Sequence, residues 1–200
     1  MSTLVLVSNT GGTIYSTSPT YSLARSGTGL SASTDGIYVG QTLGYTIYEG
    51  FIDFDTSPLG SDASISAAVL EMYLVYDGST TDFTVNAAVS AWGATLETAD
   101  WVAGADLAAL TTVATLASSG IGAAGSRKTF VDVALAGNIN KTANTRLLLY
   151  SSRHSGNNTP GGDEYLHLGR LGVGYSYQYP KLTITYTVGA AAGQTHQGML

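Results

Sequence analysis

The stretch that decides the fold is residues 45–76, which read YTIYEGFIDFDTSPLGSDASISAAVLEMYLVY. In its first part, Ile52 and Phe54 alternate with Asp53 and Asp55, so the two pairs lie on opposite faces of an extended chain. Alternation of this kind is typical of a strand with one buried face. We therefore predict a strand over this part.

A turn and a longer strand complete the stretch. Pro58 and Gly60 favour a turn within residues 57–61. Residues 63–76 then carry apolar side chains on both faces, interrupted by Glu71. This pattern predicts a central strand that is covered on two sides.

Short strands separated by turns continue along the chain. We predict them at residues 83–89, 129–133, 146–151, 165–168 and 181–188. Residues 99–116 tolerate a helix, with Asp100 as its candidate N-cap. Because no regular alternation of strands and helices occurs, the spacing predicts an all-β fold. The form we expect is an antiparallel jelly-roll β-sandwich over residues 36–188.

The two ends of the chain differ from its middle. Residues 8–33 consist mainly of Ser, Thr, Gly and Tyr, and such a segment cannot build a core of its own. We predict a polar N-terminal arm over residues 1–35: an extended arm, a set of short surface strands or a wrap around a neighbouring chain. Residues 189–200 predict a C-terminal tail.

Composition excludes several classes of function. Only 11% of residues are charged and the net charge is −6, which argues against binding to nucleic acid or to anionic membranes. No basic signal-peptide region and no apolar stretch of about 20 residues occurs. The absence of Cys fits a reducing cytoplasm, or a particle assembled in one.

Motifs for catalysis are missing from the sequence. His154, His167 and His196 form no ligand pair, no G-x-S-x-G motif occurs, and there is no thiol. Two acidic pairs, Asp53 with Asp55 and Asp163 with Glu164, leave a structural Ca²⁺ site or an acid pair open beside the simpler interpretation as solvated turn residues. We expect neither enzymatic activity nor a cofactor.

Tyrosine is the informative residue type, with 13 in the chain. Tyr rings offer contact area and a polar tip, which suits both protein interfaces and sugar stacking. The strongest candidate for an aromatic strip is the alternating Tyr175, Tyr177 and Tyr179. For carbohydrate stacking, Trp92 and Trp101 are further candidates.

Several segments, in their order and spacing, carry a resemblance to a known family. They are GFIDFD at 50–55, SPLGS at 57–61, ASISAAVL at 63–70, LET at 96–98 between the two Trp residues, FVDV at 130–133 and YPKLTI at 179–184. Over about two-thirds of the chain the sequence resembles the disaggregatase-related jelly-roll modules of the DNRLRE type. This resemblance implies a jelly-roll sandwich and no catalysis.

The chain is also similar to jelly-roll accessory proteins of tailed bacteriophages. That similarity implies a virion structural protein, most simply a head decoration or cement protein, which binds the major capsid protein or another virion protein and forms a dimer or trimer. Its partner contacts are then expected in the arm and in the strip, at Tyr15, Tyr21, Leu23, Leu30, Tyr175, Tyr177 and Tyr179. The alternative is a carbohydrate-binding module or adhesin domain of a tail fibre or a bacterial surface protein.

Overall fold

The computed structural model describes residues 1–8 and 10–189. Their strands are β1 (Ser2–Val7), β2 (Gly11–Thr17), β3 (Leu30–Ser33), β4 (Gly36–Gln41), β5 (Thr46–Asp55), β6 (Ala63–Asp77), β7 (Thr84–Val89), β8 (Thr112–Ala117), β9 (Ser126–Thr129), β10 (Val131–Asp132), β11 (Asn144–Ser151), β12 (Glu164–Arg170) and β13 (Lys181–Val188). Two short helices accompany them, α1 (Tyr21–Arg25) and α2 (Ser152–Ser155). The fold is all-β, as the sequence predicts.

The strands form one curled antiparallel sheet. Its main path runs β1-β13-β6-β12-β4-β5-β11-β7-β8-β10, with β2, β3 and β9 attached to the sides. Leu70 of β6 and Ile184 of β13 share one core with Val85 of β7 and Leu147 of β11, although these strands are far apart along the path. The curl therefore encloses the main apolar core between the two halves of the sheet.

β5 and β6 form where the alternation predicts strands. Ile52 and Phe54 of β5 are buried in the main core. In β6, however, only one face is buried, through Leu70, Met72 and Leu74, while Val69 on the other face is 38% exposed. The prediction that this strand is covered on both sides is wrong, because at β6 the core lies on one side of the sheet only.

The first 35 residues do not form a separate arm. β1 pairs with β13 along its full length, and β2 lies between β3 and β5. Ile14 of β2 is fully buried. Gly11 has φ +116°, and a Cβ at this position would collide with the carbonyl oxygen of Phe51. Ser, Thr and Gly thus supply strands that gain their stability from pairing with distant segments, which corrects the predicted arm.

Residues 99–116 are also not helical. Only short 3₁₀ turns form, at Thr98–Asp100 and Leu107–Ala109, and β8 follows. Asp100 ends the first turn, where its carboxylate accepts a hydrogen bond from the Glu97 N–H (2.8 Å). The segment packs across the outer face of β5 and β11, because its apolar residues form a second cluster with Phe51 and Leu148. The predicted tail lies outside the described residues, apart from Gly189.

Candidate functional site

Five Tyr side chains from five strands form a continuous aromatic surface, which we call the tyrosine face. Its members are Tyr15 (β2), Tyr38 (β4), Tyr48 (β5), Tyr76 (β6) and Tyr165 (β12). The ring centroids of Tyr48 lie 6.1 Å from Tyr15, 5.7 Å from Tyr38 and 5.8 Å from Tyr165. Tyr76 extends the row, 5.9 Å from Tyr165.

Strand register and one glycine bring these rings together. Tyr15 lies directly opposite Tyr48, and Gly40 of β4 lies opposite both Tyr48 and Tyr165. Gly40 has φ +127°, and a Cβ there would collide with the carbonyl oxygen of Glu164. Because this position carries no side chain, the Tyr48 and Tyr165 rings meet across it.

The tyrosine face keeps its polar tips free. Tyr76 is 52% exposed and the other four rings are half-buried. None of the five hydroxyls makes a hydrogen bond to another residue that the structure describes. Burial raises the pKa values of Tyr48 and Tyr165 above the usual 10.0, so both phenols stay neutral. Each hydroxyl can therefore donate and accept hydrogen bonds.

A cleft opens beside the tyrosine face and shares Tyr38 with it. We call it the Arg170 cleft; it has a volume of about 440 Å³ and is lined by Asp35, Tyr38, His167, Arg170, Tyr175 and the loop 171–173. His167 stacks on Tyr38 with ring centroids 4.1 Å apart. Burial, followed by the charge of Arg170, lowers the pKa of His167 to about 4. The imidazole is therefore neutral at pH 7.

The predicted strip at Tyr175, Tyr177 and Tyr179 is not a strand face. The chain there forms a 3₁₀ turn at Ser176–Gln178, which sends the three rings to different partners. The Tyr175 hydroxyl accepts from Arg170, Tyr177 packs edge-on against Tyr73, and the Tyr179 hydroxyl donates to the Gly172 carbonyl. The strip is corrected accordingly, although Tyr175 still lines the Arg170 cleft.

The two Trp side chains are packing residues. Trp92 is 4% exposed, held between Phe51 and the Arg146 guanidinium, so its ring has no free face even though it borders a second cavity of about 420 Å³. Trp101 is half-buried, with its ring centroid 5.3 Å from that of His154. Trp92 therefore offers no open ring face for sugar stacking, and Trp101 packs against both smaller apolar clusters of the core.

The predicted contact residues near the N-terminus separate into four environments. Tyr15 belongs to the tyrosine face. Tyr21 is 7% exposed, and its hydroxyl donates to the Gln41 side chain (3.3 Å). Leu23 is 46% exposed, whereas Leu30 packs partly buried against the second apolar cluster. Sequence reasoning thus grouped residues that the structure keeps apart.

The acidic pairs do not converge on a metal site. Asp53 contacts Arg146 and Asn144, and Glu164 is held by Arg153. Asp55 accepts from Ser57, and Asp163 accepts from the Leu43 N–H. Within residues 1–8 and 10–189, no group of three or more His, Asp or Glu could hold a metal ion. His196 lies outside the described residues.

A buried acid–base pair was missed by sequence reasoning. Glu49 and His154 are both fully buried, with the Glu49 Oε1 atom 3.5 Å from His154 Nδ1. Burial raises the pKa of Glu49 well above 4.5, although the Val102 N–H that donates to Oε2 opposes this. Burial also lowers the pKa of His154 to about 4. The only hint in the sequence is the acidic residue at position 49 inside an otherwise buried strand.

No helix within the described part of the chain is long and apolar enough to cross a membrane. No protein-family model matches the sequence, and a comparison with curated proteins finds no significant match. The resemblance to disaggregatase-related modules therefore stays a prediction. The tyrosine face and the Arg170 cleft are the two surfaces that indicate a function.

Proposed function

We propose that the chain is a non-enzymatic carbohydrate-binding module that holds glycan on the tyrosine face. The observation that carries this proposal is the row of five tyrosine rings with unoccupied hydroxyls. Aromatic faces pack against the C–H faces of sugar rings, and phenol hydroxyls bond to sugar hydroxyls at little cost in side-chain entropy. The tyrosine face can therefore contact both the C–H faces and the hydroxyl groups of a sugar.

The tilt of the rings favours a single glycan chain over a flat crystalline surface. Along the row Tyr15, Tyr48, Tyr165 and Tyr76, neighbouring ring planes are inclined by 49°, 50° and 43°. Rings with such inclinations cannot all lie flat against one plane. They can each meet a different unit of a twisted, soluble oligosaccharide.

For the fold we propose the finer form, a jelly-roll β-sandwich, within the curled sheet. The main core between strands β6 and β13 on one side and β7 and β11 on the other supports this. In a sandwich of this kind one outer face stays available for ligands. The tyrosine face lies across strands β2, β5, β4, β12 and β6 of that surface.

Removing two rings of the tyrosine face is expected to abolish most glycan binding. For Tyr15→Ala with Tyr165→Ala, we expect affinity to fall by about fivefold to a hundredfold, since each lost aromatic contact removes roughly 0.5–1.5 kcal/mol. A glycan array finds the ligand, and isothermal titration calorimetry then measures the loss. Tyr177→Ala, which removes a 57% exposed ring outside the tyrosine face, is the matched control.

Two results would contradict the proposal. Equal binding by the double variant and by Tyr177→Ala would show that glycan contacts another surface. If the wild-type chain binds no oligosaccharide on a broad array, the proposed carbohydrate-binding function is wrong.

A second observation favours the candidate function of a virion structural protein, a head decoration or cement protein. Three exposed valines form a surface that we call the valine edge. Val5 is 56% exposed, Val7 is 59% exposed and Val69 is 38% exposed. Among the strands that the structure describes, β1 pairs only with β13, and residues 2–7 contain no charge and no Pro to protect the other edge. The neighbouring Lys181 and Glu71 neutralise each other through a 2.5 Å ion pair.

We propose that a second copy of this chain occupies the valine edge. Two β1 strands can pair antiparallel about a two-fold axis at Val5, with Val7 of one copy opposite Thr3 of the other. Because the edge is uncharged in a chain of net charge −6, two copies approach there without local repulsion. A homo-oligomer of this kind is the form in which a decoration protein would bind the capsid.

Charges placed on the valine edge are expected to convert the oligomer into monomer. Sedimentation velocity should show a dimer for the wild type and a monomer for Val5→Lys with Val7→Lys. The matched control, Val131→Lys with Val133→Lys, adds the same charge beside the other end of the sheet, at residues that are 66% and 60% exposed. A monomeric wild type, or an oligomer that survives the edge charges, overturns this second candidate.

A further inference from the structure

The Arg170 cleft places a positively charged side chain beside the tyrosine face. Tyr38 contributes to both surfaces, so a glycan lying on the rings reaches the cleft without a break. A volume of about 440 Å³ lies in the usual range for small-molecule pockets. The cleft can therefore take one sugar unit with its substituents.

Arg170 differs from the other four arginines in its hydrogen bonding. Two of the others form ion pairs, Arg146 with Asp53 and Arg153 with Glu164. The remaining two donate to backbone carbonyl groups: Arg25 to those of Gly104, His154 and Ser155, and Arg127 to those of Tyr177 and Tyr179. Arg170 donates to the Tyr175 hydroxyl alone (3.2 Å) among the residues that the structure describes. Most of its N–H groups are left for a ligand.

The surroundings of Arg170 hold the guanidinium ready for a planar anion. Its carbon lies 5.0 Å from the Tyr175 ring centroid, a stacking contact that fixes the orientation of the guanidinium fork. His167 is 6% exposed in the same wall, and within residues 1–8 and 10–189 its Nε2 atom finds no hydrogen-bond partner. Asp35 is exposed at the rim, where its carboxylate can accept hydrogen bonds from sugar hydroxyls.

We propose that the Arg170 cleft binds the carboxylate of an acidic sugar, so that the glycan held by the tyrosine face is a uronic-acid oligosaccharide. This inference rests on the proposed carbohydrate-binding function. The guanidinium presents paired N–H donors that match the two oxygens of a carboxylate. Asp35 is the acidic residue that lines the cleft, and the charges that lie beyond about 8 Å are largely screened at physiological salt.

The test compares each ligand with its own uncharged form. The full chain is titrated with tetragalacturonate, an alginate tetramer and a hyaluronan tetramer, and with the methyl ester of each, while NMR follows the Arg170 and His167 side-chain signals. We expect at least one acid to bind about tenfold or more tighter than its ester. Arg170→Gln should remove that preference, whereas Lys128→Gln, which deletes an equal charge elsewhere, should retain it.

The outcomes separate this inference from the function on which it rests. If neutral oligosaccharides or the esters bind through the tyrosine face without any preference for acids, the carbohydrate function stands. The proposal that the Arg170 cleft binds a carboxylate is then wrong. A preference for acids that persists in Arg170→Gln also overturns the cleft. If neither this panel nor a glycan array yields any ligand, the carbohydrate function fails, and the cleft with it.

Discussion

Replacing Arg153 with alanine is expected to lower the free energy of unfolding by about 3–5 kcal/mol, because it leaves a buried carboxylate without its counter-charge. Glu164 is fully buried. Arg153 holds it with two bonds, Nε to Oε2 at 2.9 Å and Nη2 to Oε1 at 3.0 Å. Gln41 donates a third bond to Oε2 (2.7 Å).

The Arg153–Glu164 pair also fastens the loop between β11 and β12. Arg153 belongs to α2, and Gln41 of β4 donates in addition to the carbonyl of Asn158 in this loop (2.8 Å). The network thereby ties residues 152–163 to the two strands that carry Tyr38 and Tyr165. We expect loss of the ion pair to loosen this part of the tyrosine face.

Urea denaturation measures the Arg153→Ala effect against a matched ion pair. Lys181→Ala breaks the partly exposed pair with Glu71 and should cost below about 1 kcal/mol. Arg153→Met with Glu164→Leu removes both charges and should regain much of the lost stability. A cost for Arg153→Ala no larger than that for Lys181→Ala would mean that Glu164 is solvated.

Local pattern was enough to predict the strands at the centre of the chain. The alternation around Ile52 and Phe54 identifies β5 because the spacing itself reports a buried face. The strand at 63–76 was equally visible. The sequence alone could not show that Val69 lies at the surface. Its exposure depends on which side of the sheet the core covers at this strand.

The ends and the connecting segments could not be predicted in this way. β1 is stabilised by β13, so the register of Val5 opposite Thr183 joins residues nearly the whole chain apart. A polar sequence gives no sign of such a partner. Residues 99–116 similarly follow tertiary contacts, because Leu107 is buried over Phe51 in the second apolar cluster and not on a helix face.

The tyrosine face illustrates the same limit at the candidate site. Its rings come from positions as distant as Tyr15 and Tyr165, and they meet because Gly40 leaves a gap between two strands. The local alternation at Tyr175, Tyr177 and Tyr179 was the stronger pattern in the sequence. It failed because the intervening Gln178 is buried in a 3₁₀ turn.

Replacing Glu49 with glutamine is expected to stabilise the chain increasingly as the pH rises. In the folded state burial raises the pKa of Glu49 well above 4.5, so its stabilising contribution is complete below pH 4.5 and is lost as the pH rises toward the folded value. The amide of Glu49→Gln keeps the geometry, with an oxygen for the Val102 N–H and an N–H for His154 Nδ1, but it does not titrate. Relative to wild type, the variant should gain up to about 1.4 kcal/mol per pH unit above 4.5, until the pH reaches the pKa that Glu49 has in the folded chain.

His154 has the opposite sign, which makes the pair diagnostic. Its pKa falls from 6.5 to about 4, so its contribution is present above pH 6.5 and is lost as the pH falls toward 4. Between pH 4.5 and 6.5 the two slopes oppose each other in the wild type, because the folded pair and the unfolded pair hold the same number of protons. Glu49→Gln uncovers the slope of His154 in this window, and His154→Gln uncovers that of Glu49. Urea denaturation at half-unit steps from pH 4 to 8 resolves both slopes. A Glu49→Gln variant that gains no stability relative to wild type as the pH rises above 4.5 would show that the buried pair holds no extra proton in the folded chain, and would contradict the raised pKa of Glu49.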